Sequence, residues 1–438
     1  TSAANTIAFT SVSGNPALCT LTFTPASAGS YTLYLNGADY VSFNKITIAN
    51  GYTGSTVYTV WIGGKAEYNT ISACTISNPI NPNAYGIYQS NTTDNYNTIV
   101  GNTITNGYIG IIMQSNTSVY SVKNSFNNNV LLNQTGYGIY SYFQDSVTIS
   151  GNIITTNATT GSYYGIFTQS NSKYPIVTKN KITGINMTST GYGMQHNSFA
   201  NNGFSFGRGL IANNFIQMGG TATTNVGIHI NGGSNYTDVV HNSVNMTSTV
   251  LSPNVSCFRY EQFLSNNNVQ NNIFQASGNG TTSCAVANIG TSGTSNCIFN
   301  YNDWYGLNST TFGYCGTAMG TAQNSYAAFK TGGSGIASFE ANGFNKEALF
   351  NSTTDLHTSS PCLSNLGTNL LSLVPKDIDD ETRTSTPDIG ADEFNVSTYD
   401  AAMQAIISPS GSSFATGTPY TVKVKVRNNG STTITALN

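Results

Sequence analysis

The feature of this sequence that most constrains its fold is a segment of eleven residues that recurs at a fixed interval. The segments YVSFNKITIAN, YNTISACTISN and YNTIVGNTITN begin at Tyr40, Tyr68 and Tyr96, so the starting position advances by 28 each time. Looser copies follow, beginning at Ser146, Tyr174, Tyr236 and Asn267. A period between about 20 and 50 residues is typical of architectures that stack one structural unit. The chain is therefore expected to be a stacked repeat protein.

A second marker, a glycine followed by an apolar residue, alternates with the first. Its copies include AYGIY, GYGIY, YYGIF, GYGMQ and NVGIHI. The marker glycines, with successive intervals of 24, 28, 27, 28 and 34, are Gly86, Gly110, Gly138, Gly165, Gly193 and Gly227. Thr, Ile, Val and Tyr favour strands, whereas Asn and Gly favour turns. Each repeat is therefore predicted to contain two short strands separated by tight bends.

These markers predict an all-β fold, a right-handed parallel β-helix of about ten turns over residues 1–394. Turns of such a solenoid stack about 4.8 Å apart, so equivalent side chains form ladders. Ile and Val are expected to fill the interior. Asn at the bends is expected to adopt left-handed backbone geometry and to hydrogen-bond the turns above and below. A propeller blade needs about 40 residues, which is longer than this period and argues against that alternative.

The composition excludes two classes of function. Only 8% of residues are charged and the net charge is −3, so the basic surface of a nucleic-acid-binding protein is not expected. No window holds the roughly 18 consecutive apolar residues of a membrane span.

The opening TSAANTIAFT has neither the basic start nor the apolar stretch of a signal peptide. We expect that a signal was removed or that the chain begins inside a larger protein.

The repeats, together with NGADYVSFNKITIAN from Asn36 and DIDDETRTSTPDIGADEF from Asp377, resemble secreted right-handed parallel β-helix proteins. The resemblance is greatest to large surface and secreted proteins of Bacteroidota, and it implies a secreted or cell-surface location. In that family the stretch ending DIGADEF closes the last turn, which implies a closing segment at about residues 345–394. An N-terminal cap is expected at about residues 1–39. Because the family includes lyases, hydrolases and non-enzymatic adhesins, it indicates fold better than function.

After Phe394 the repeat stops. The tail alternates at Val422, Val424 and Val426 and then turns into another strand, which resembles the opening of an immunoglobulin-like module of prokaryotic adhesins. A complete sandwich of this kind needs about 100 residues. Residues 395–438 are therefore predicted to be an incomplete immunoglobulin-like module. Neighbouring domains of a longer chain are then expected partners.

The candidate binding surface is a column of residues two positions after each marker glycine. The residue before each member is mostly apolar, so strand alternation is expected to send that residue inward and the column outward. The column consists of Tyr88, Ile112, Tyr140, Phe167, Gln195, His229 and Arg259. Its aromatic and polar members would stack sugar rings or hold an acidic glycan. Alternatively, aromatic ladders pack on each other and protect the sheet without binding anything.

Catalytic residues are harder to assign. A glycoside hydrolase needs two carboxyl groups about 5–9.5 Å apart, whereas a lyase needs a positioned base, commonly beside Ca²⁺. The acidic residues of the repeats are scattered, so the candidates for catalysis are His229, Arg259 and Glu261 at the end of the column.

An acid-rich run in the closing segment has two interpretations. Asp377, Asp379 and Asp380 would form a Ca²⁺ site, which is the one cofactor considered for this chain. Alternatively, these carboxylates close turns of a solvated cap in which Arg383 pairs with a carboxylate.

Two cysteines, Cys257 and Cys284, are separated by an interval of 27, which is about one turn. Stacked Cα atoms about 5 Å apart lie within disulfide range. The pair is therefore predicted either to form a disulfide or to remain as reduced thiols in an apolar ladder.

The sequence leaves three functions open. The first is a non-enzymatic adhesive or structural module that binds a polysaccharide or cell-surface glycan, and the regular repeats favour it. The second is a lyase or hydrolase of an extracellular polysaccharide, favoured if His229, Arg259 and Glu261 converge with a carboxylate in one groove. The third is an ice- or surface-binding solenoid, which needs a flat Thr array, whereas the Thr positions drift between these repeats.

Overall fold

The computed structural model describes the chain apart from residues 91, 117–118, 171–173, 200–206, 280–281, 337, 397–400, 410–418, 429–431 and 436–438. It is a parallel β-solenoid of about ten turns, which confirms the predicted fold class. Each regular turn supplies three strands, one to each of three sheets, and not the two strands predicted. The third strand is the one that carries the glycine marker.

The first sheet has 12 strands. They are Ile7–Thr10, Val41–Asn44, Thr70–Ser72, Thr98–Val100, Ser125–Asn127, Thr148–Ser150, Ile176–Thr178, Gly209–Ala212, Thr237–Val240, Asn268–Gln270, Ile298–Asn300 and Ser338–Phe339. The second sheet has 11 strands. They are Thr20–Phe23, Thr47–Asn50, Thr75–Ser77, Thr103–Thr105, Val130–Leu132, Ile153–Thr155, Lys181–Met187, Phe215–Gly220, Ser243–Met246, Ile273–Ala276 and Asp303–Gly306.

The third sheet also has 12 strands and carries the glycine marker. They are Ser30–Asn36, Val57–Gly63, Ala84–Ser90, Ile109–Gln114, Tyr137–Tyr142, Ser162–Gln169, Thr190–Asn197, Thr224–Asn231, Val255–Tyr260, Ala285–Gly290, Gly313–Gly316 and the antiparallel Ala322–Gln323. Two short pairs complete the described strands: Ser121–Val122 with Gln144–Asp145, and Ala401–Ser408 antiparallel to Lys423–Asn428. Among the described residues, the helices are the 3₁₀ turn Pro16–Leu18 and the α-helix Tyr326–Gly332.

The interior is filled by aliphatic ladders, as expected. In the second sheet, for example, Ile76, Ile104 and Leu131 are paired in register and fully buried. Segments predicted as caps behave differently at the two ends. The predicted N-terminal cap supplies the first strand of each sheet, whereas residues 345–394 have little regular structure and pack against the solenoid wall.

A buried ladder of asparagines follows the bend between the first and second sheets. From Asn129 onward, each side-chain Oδ1 accepts hydrogen bonds from the backbone N–H and the Nδ2 of the asparagine one turn earlier, at 2.8–3.1 Å. The members are Asn102, Asn129, Asn152, Asn180, Asn214, Asn242, Asn272 and Asn302. The residue before each one, such as Gly101 or Lys179, has the left-handed φ that permits the bend. The sequence predicts that one asparagine both adopts the left-handed geometry and forms the hydrogen bonds between turns. In the structure, the residue before each asparagine adopts that geometry, and the asparagine itself forms the hydrogen bonds.

The asparagine ladder ends on an acid. Asn302 Nδ2 donates to Glu340 Oε1 at 2.6 Å, and Glu340 is fully buried. Burial raises the pKa of Glu340 to about 7, although hydrogen bonds from Asn302 oppose the shift.

The marker glycines form a column in which a side chain has no room. A Cβ at any of the six would approach the carbonyl oxygen of the equivalent residue in the next turn to 2.4–2.8 Å. The glycine therefore allows two turns to pack at the sheet spacing, which explains why the marker recurs.

Replacing Gly165 with alanine is expected to lower the free energy of unfolding by about 1–3 kcal/mol, because the methyl group forces two backbones apart. The matched control is Gly232→Ala, where an added Cβ meets nothing within 4 Å. The control is expected to change stability by less than about 0.5 kcal/mol. Urea unfolding of both variants measures the difference, and equal stability of the two would contradict the role assigned to the glycine column.

Candidate functional site

The column predicted from the glycine marker is a continuous ladder of the third sheet. The register pairs each member with its equivalent in the next turn, in the order Tyr34, Trp61, Tyr88, Ile112, Tyr140, Phe167, Gln195, His229 and Arg259. The aromatic members are partly exposed. Ile112, Gln195 and His229 are buried, so the expectation that the whole column faces solvent is wrong at these three positions.

A second column, which the sequence interpretation missed, lies three residues before the first and faces outward except at one buried isoleucine. It consists of Tyr31, Tyr58, Tyr85, Ile109, Tyr137, Tyr164 and Tyr192. Between the two columns, a glycine and an apolar residue such as Gly86 and Ile87 are both buried. Two consecutive inward positions break the strict alternation of the strand, so that residues three apart share the outer surface. We call the Tyr, Trp and Phe side chains of both columns the aromatic face.

The two halves of the aromatic face pack differently. Near the N-terminal end, rings are tilted: Trp61 lies 5.0 Å from Tyr34 at 35° and 5.5 Å from Tyr88 at 86°. Further along, Tyr137, Tyr164 and Tyr192 stack nearly parallel at 4.8 and 4.9 Å, with interplanar angles of 7° and 6°. Rings stacked along the solenoid present their edges and hydroxyl groups to solvent, whereas tilted rings leave parts of their faces open.

One side chain from outside the columns joins these halves. Ile109 and Ile112 interrupt the aromatic residues in the fourth turn and are buried. The ring of Tyr108 lies edge-on to Tyr85 at 6.4 Å and to Tyr137 at 5.9 Å. The aromatic face is therefore continuous from the first turn to the seventh.

The three catalytic candidates meet at the far end of the aromatic face. Glu261 Oε1 lies 3.0 Å from His229 Nε2 and accepts a hydrogen bond from Arg259 Nε at 2.9 Å. The ring of Tyr192 stacks on His229 with centroids 5.6 Å apart. The sequence interpretation thus chose three residues that the fold brings together, with one carboxylate shared by both bases.

Electrostatics fix the charge of this trio. Burial, assisted by Arg259, lowers the pKa of His229, although the hydrogen bond with Glu261 opposes the shift. That hydrogen bond, with the Arg259 cation, lowers the pKa of Glu261. At neutral pH a neutral imidazole therefore donates from Nε2 to an ionised Glu261. The Nδ1 atom of His229 is buried without a hydrogen-bond partner in the described part of the chain.

Two loops close the end of the face beyond the trio. Arg259 Nη1 donates to Asn254 Oδ1 at 2.6 Å, in the loop 247–254. The next ladder member, Asn288, donates to the backbone of that loop at 2.6 Å and accepts from the loop 317–321 at 3.3 Å. The aromatic face is therefore open towards the N-terminal turns and is bounded by these two loops beyond the polar trio.

A second carboxylate for hydrolysis is not supplied by the described strands of the third sheet. Their sequences contain neither Asp nor Glu, and Glu261 follows directly after the strand Val255–Tyr260. A two-carboxylate mechanism requires a partner group about 5–9.5 Å away. The trio therefore offers a neutral base and an ion pair, but not the pair of acids that a hydrolase uses.

The acidic run of the closing segment is divided among several roles. Asp377 accepts backbone hydrogen bonds from Asp379 and Glu381, at 3.0 and 2.8 Å, so it closes turns. Asp380 pairs with Lys179 at 2.6 Å, and Arg383 pairs with Glu393 at 3.0 Å. Asp377, Asp379 and Asp380 do not gather their oxygens around one point in the described structure.

Two further assignments concern buried groups. Cys257 and Cys284 are fully buried free thiols in this structure, not a disulfide, and the register pairs Ser256 with Ala285, which offsets the two along their strands. Burial raises the pKa of both thiols. His196 is wholly buried because it occupies an inward strand position, and its Nδ1 lies 2.7 Å from Thr168 Oγ1.

The comparisons with known proteins indicate neither a family nor a function for this chain. No protein-family model matches this sequence, and no curated protein matches it. Among the described residues, no helix is long and apolar enough to cross a membrane.

Proposed function

We propose that this chain is a rigid, non-enzymatic β-solenoid module of a longer extracellular or cell-surface adhesin or appendage, and that it binds a polysaccharide along the aromatic face. The observation that carries the proposal is the aromatic face itself. Eleven aromatic side chains from six turns line one surface of one sheet. Partly exposed apolar patches of this extent are a mark of binding surfaces.

The tilted half of the face suits sugar rings best. Aromatic faces attract the C–H groups of a pyranose ring, and Trp61 and Tyr88 present such faces at an angle of 86°. Successive turns repeat about every 4.8 Å, which is comparable to the length of one pyranose residue in an extended chain. A polysaccharide lying along the solenoid axis would therefore meet an equivalent ring at each step.

The stacked half and the trio would contribute polar contacts. The hydroxyl groups of Tyr137, Tyr164 and Tyr192 project from ring edges and can exchange hydrogen bonds with sugar hydroxyls. Because Glu261 neutralises Arg259 and His229 is neutral, the trio carries no net charge. A neutral polysaccharide is therefore the favoured ligand class over an acidic one.

Location and context rest on the resemblance to Bacteroidota surface proteins and on the tail. The strands Ala401–Ser408 and Lys423–Asn428 form an antiparallel pair. This pairing agrees with an immunoglobulin-like module but is too small to define one. A secreted or cell-surface location, with neighbouring domains beyond this tail, is part of the proposal.

The second candidate is a polysaccharide lyase, which the convergence of His229, Arg259 and Glu261 favours. A neutral, buried imidazole can act as a base. However, its Nε2 is engaged by Glu261, and Nδ1 is buried. The binding role is preferred because it needs no rearrangement of these hydrogen bonds.

The double variant Trp61→Ala/Tyr88→Ala tests the aromatic face. If each ring contributes about 0.5–1.5 kcal/mol of stacking, the double variant loses about 1–3 kcal/mol, and polysaccharide affinity is expected to fall by roughly 5- to 150-fold. Binding is measured by affinity electrophoresis in gels that contain neutral or acidic polysaccharides. A fully retained affinity for every polysaccharide that the native chain binds would contradict the assignment.

The matched control is Tyr68→Ala. Tyr68 belongs to a different aromatic ladder, at the bend between the third and first sheets, where it stacks on Tyr40 at 4.8 Å and on Tyr96 at 4.6 Å. It is 41% exposed, so it resembles the aromatic face chemically but lies outside it. The control is expected to bind as the native chain does, and an equal loss in both variants would point to non-specific aromatic adsorption.

A further inference from the structure

A cluster of three potential metal ligands lies in the closing segment, away from the aromatic face. Ligand atoms of His357, Asp379 and Asp392 all lie within 4.8 Å of one another. The cluster sits against the second sheet, where Lys181 contacts Asp379 at 3.2 Å and the Phe215 ring contacts His357 edge-on at 4.9 Å. It therefore joins two parts of the closing segment to the solenoid wall.

The imidazole of His357 is held in the orientation of a metal ligand. Its Nδ1 hydrogen-bonds to the Asp355 carboxylate, while Nε2 points to Asp379 Oδ2 at 2.6 Å. A carboxylate on the far nitrogen of a histidine fixes the ring and directs the other nitrogen, as in many metal sites. The Phe215 ring packs against the imidazole and restricts its rotation.

The surroundings of Asp392 are an independent indication of a bound ligand. It is only 7% exposed, and its one hydrogen bond from a described residue is a long contact from the Thr358 backbone N–H, at 3.4 Å. The neighbouring acid Asp388 is also buried, but it receives short backbone hydrogen bonds from Asn365 and Phe394. A buried carboxylate without strong donors is costly unless a cation or proton compensates it.

We propose that His357, Asp379 and Asp392 together bind one divalent transition-metal ion, with Zn²⁺ as the expected occupant and Asp355 as the group that orients His357. One imidazole nitrogen and two carboxylate oxygens form a ligand set that suits Zn²⁺ or Mn²⁺, whereas Ca²⁺ prefers six to eight oxygens. The ligands come from residues 357, 379 and 392, so the ion would cross-link three parts of the closing segment, which has little regular structure. Its role is structural.

Calorimetric titration of the chelator-treated chain with ZnCl₂, MnCl₂ and CaCl₂ at one pH tests the proposal. One equivalent of Zn²⁺ is expected to bind, more tightly than Ca²⁺, and to raise the melting temperature. Co²⁺ in the same site is expected to give the visible absorption bands of a low-symmetry nitrogen and oxygen site. No binding, or binding of Ca²⁺ in preference to Zn²⁺ and Mn²⁺, would overturn the proposal.

Variants separate this site from surface binding. His357→Gln and Asp392→Asn are each expected to lower Zn²⁺ affinity by at least about 100-fold, and Asp355→Asn by about 10-fold. The matched control is Asp380→Asn, which removes an acid of the same run that pairs with Lys179 outside the cluster. It is expected to leave Zn²⁺ affinity unchanged. Circular dichroism of each metal-free variant verifies folding, and Zn²⁺ binding that persists in both ligand variants would show adventitious binding only.

Discussion

Replacing Asn180 with alanine is expected to lower the free energy of unfolding by about 3–6 kcal/mol, because it orphans buried polar groups and leaves a cavity. Asn180 Oδ1 accepts from both the backbone N–H and Nδ2 of Asn152, at 3.0 and 2.9 Å, and Asn180 Nδ2 donates to the Ile149 carbonyl at 3.0 Å. These groups are buried, so the truncation leaves donors and an acceptor without their partners. Each such orphaned group costs about 1–3 kcal/mol, and the cavity adds to the loss.

The matched control is Asn186→Ala, near the end of the second-sheet strand Lys181–Met187 in the same turn. Asn186 is exposed and makes one long hydrogen bond, to the Gly184 carbonyl at 3.5 Å. Its removal is expected to change stability by less than about 0.5 kcal/mol. Urea unfolding followed by far-ultraviolet circular dichroism compares the two. Equal stability of the variants would show that the asparagine ladder contributes nothing specific.

The second large effect concerns Glu340, which ends the asparagine ladder. Its folded pKa of about 7 lies above the ordinary value of 4.5, so the folded chain binds this proton more tightly than the unfolded chain does. The stabilisation is complete below about pH 4.5 and is lost as the pH rises towards 7. Glu340→Gln cannot ionise and keeps the oxygen that accepts from Asn302. At pH 8 the variant is expected to be more stable than the native chain by about 3 kcal/mol.

Comparing the native chain with Glu340→Gln across the pH range separates the contribution of Glu340 to stability from that of the other titratable groups. Asp303 and Lys330 interact electrostatically with Glu340, and both remain in the variant. Urea unfolding at pH 4, 6 and 8 measures the difference in stability. This difference is expected to be small at pH 4, where the acid is protonated in both states, and to grow with pH. A difference that is constant, or that shrinks at high pH, would contradict the buried proton.

The stacking of turns could be predicted from sequence because the repeat is enforced at two kinds of position. Glycine recurs at the positions equivalent to Gly165 because a Cβ there would meet the backbone of the next turn. Asparagine recurs at the positions equivalent to Asn180 because each side-chain amide hydrogen-bonds to the amide in the next turn. Both constraints act between equivalent positions, so they leave a period in the sequence. The column of Tyr88 and its equivalents was predicted from the same period, and the strand register confirms it.

What could not be predicted lies where the period fails. The second column, with Tyr137 and Tyr164, could not be predicted from strict alternation, because two consecutive residues between the columns face inward and residues three apart therefore share one surface. Glu340 lies in a non-repeating segment, so nothing marked it as the end of the ladder. His357 and Asp392 come from irregular chain whose contacts only the three-dimensional structure defines.

The central claim, binding without catalysis, is tested most directly by incubating the native chain with a panel of neutral and acidic polysaccharides. The bound chain is measured by sedimentation with insoluble polysaccharide or by gel retardation. In the same samples, new reducing ends and the absorbance of unsaturated sugars are followed over time. The account predicts retention on at least one neutral polysaccharide without products. Products that form in the native sample and disappear in Glu261→Gln would contradict it and identify an enzyme.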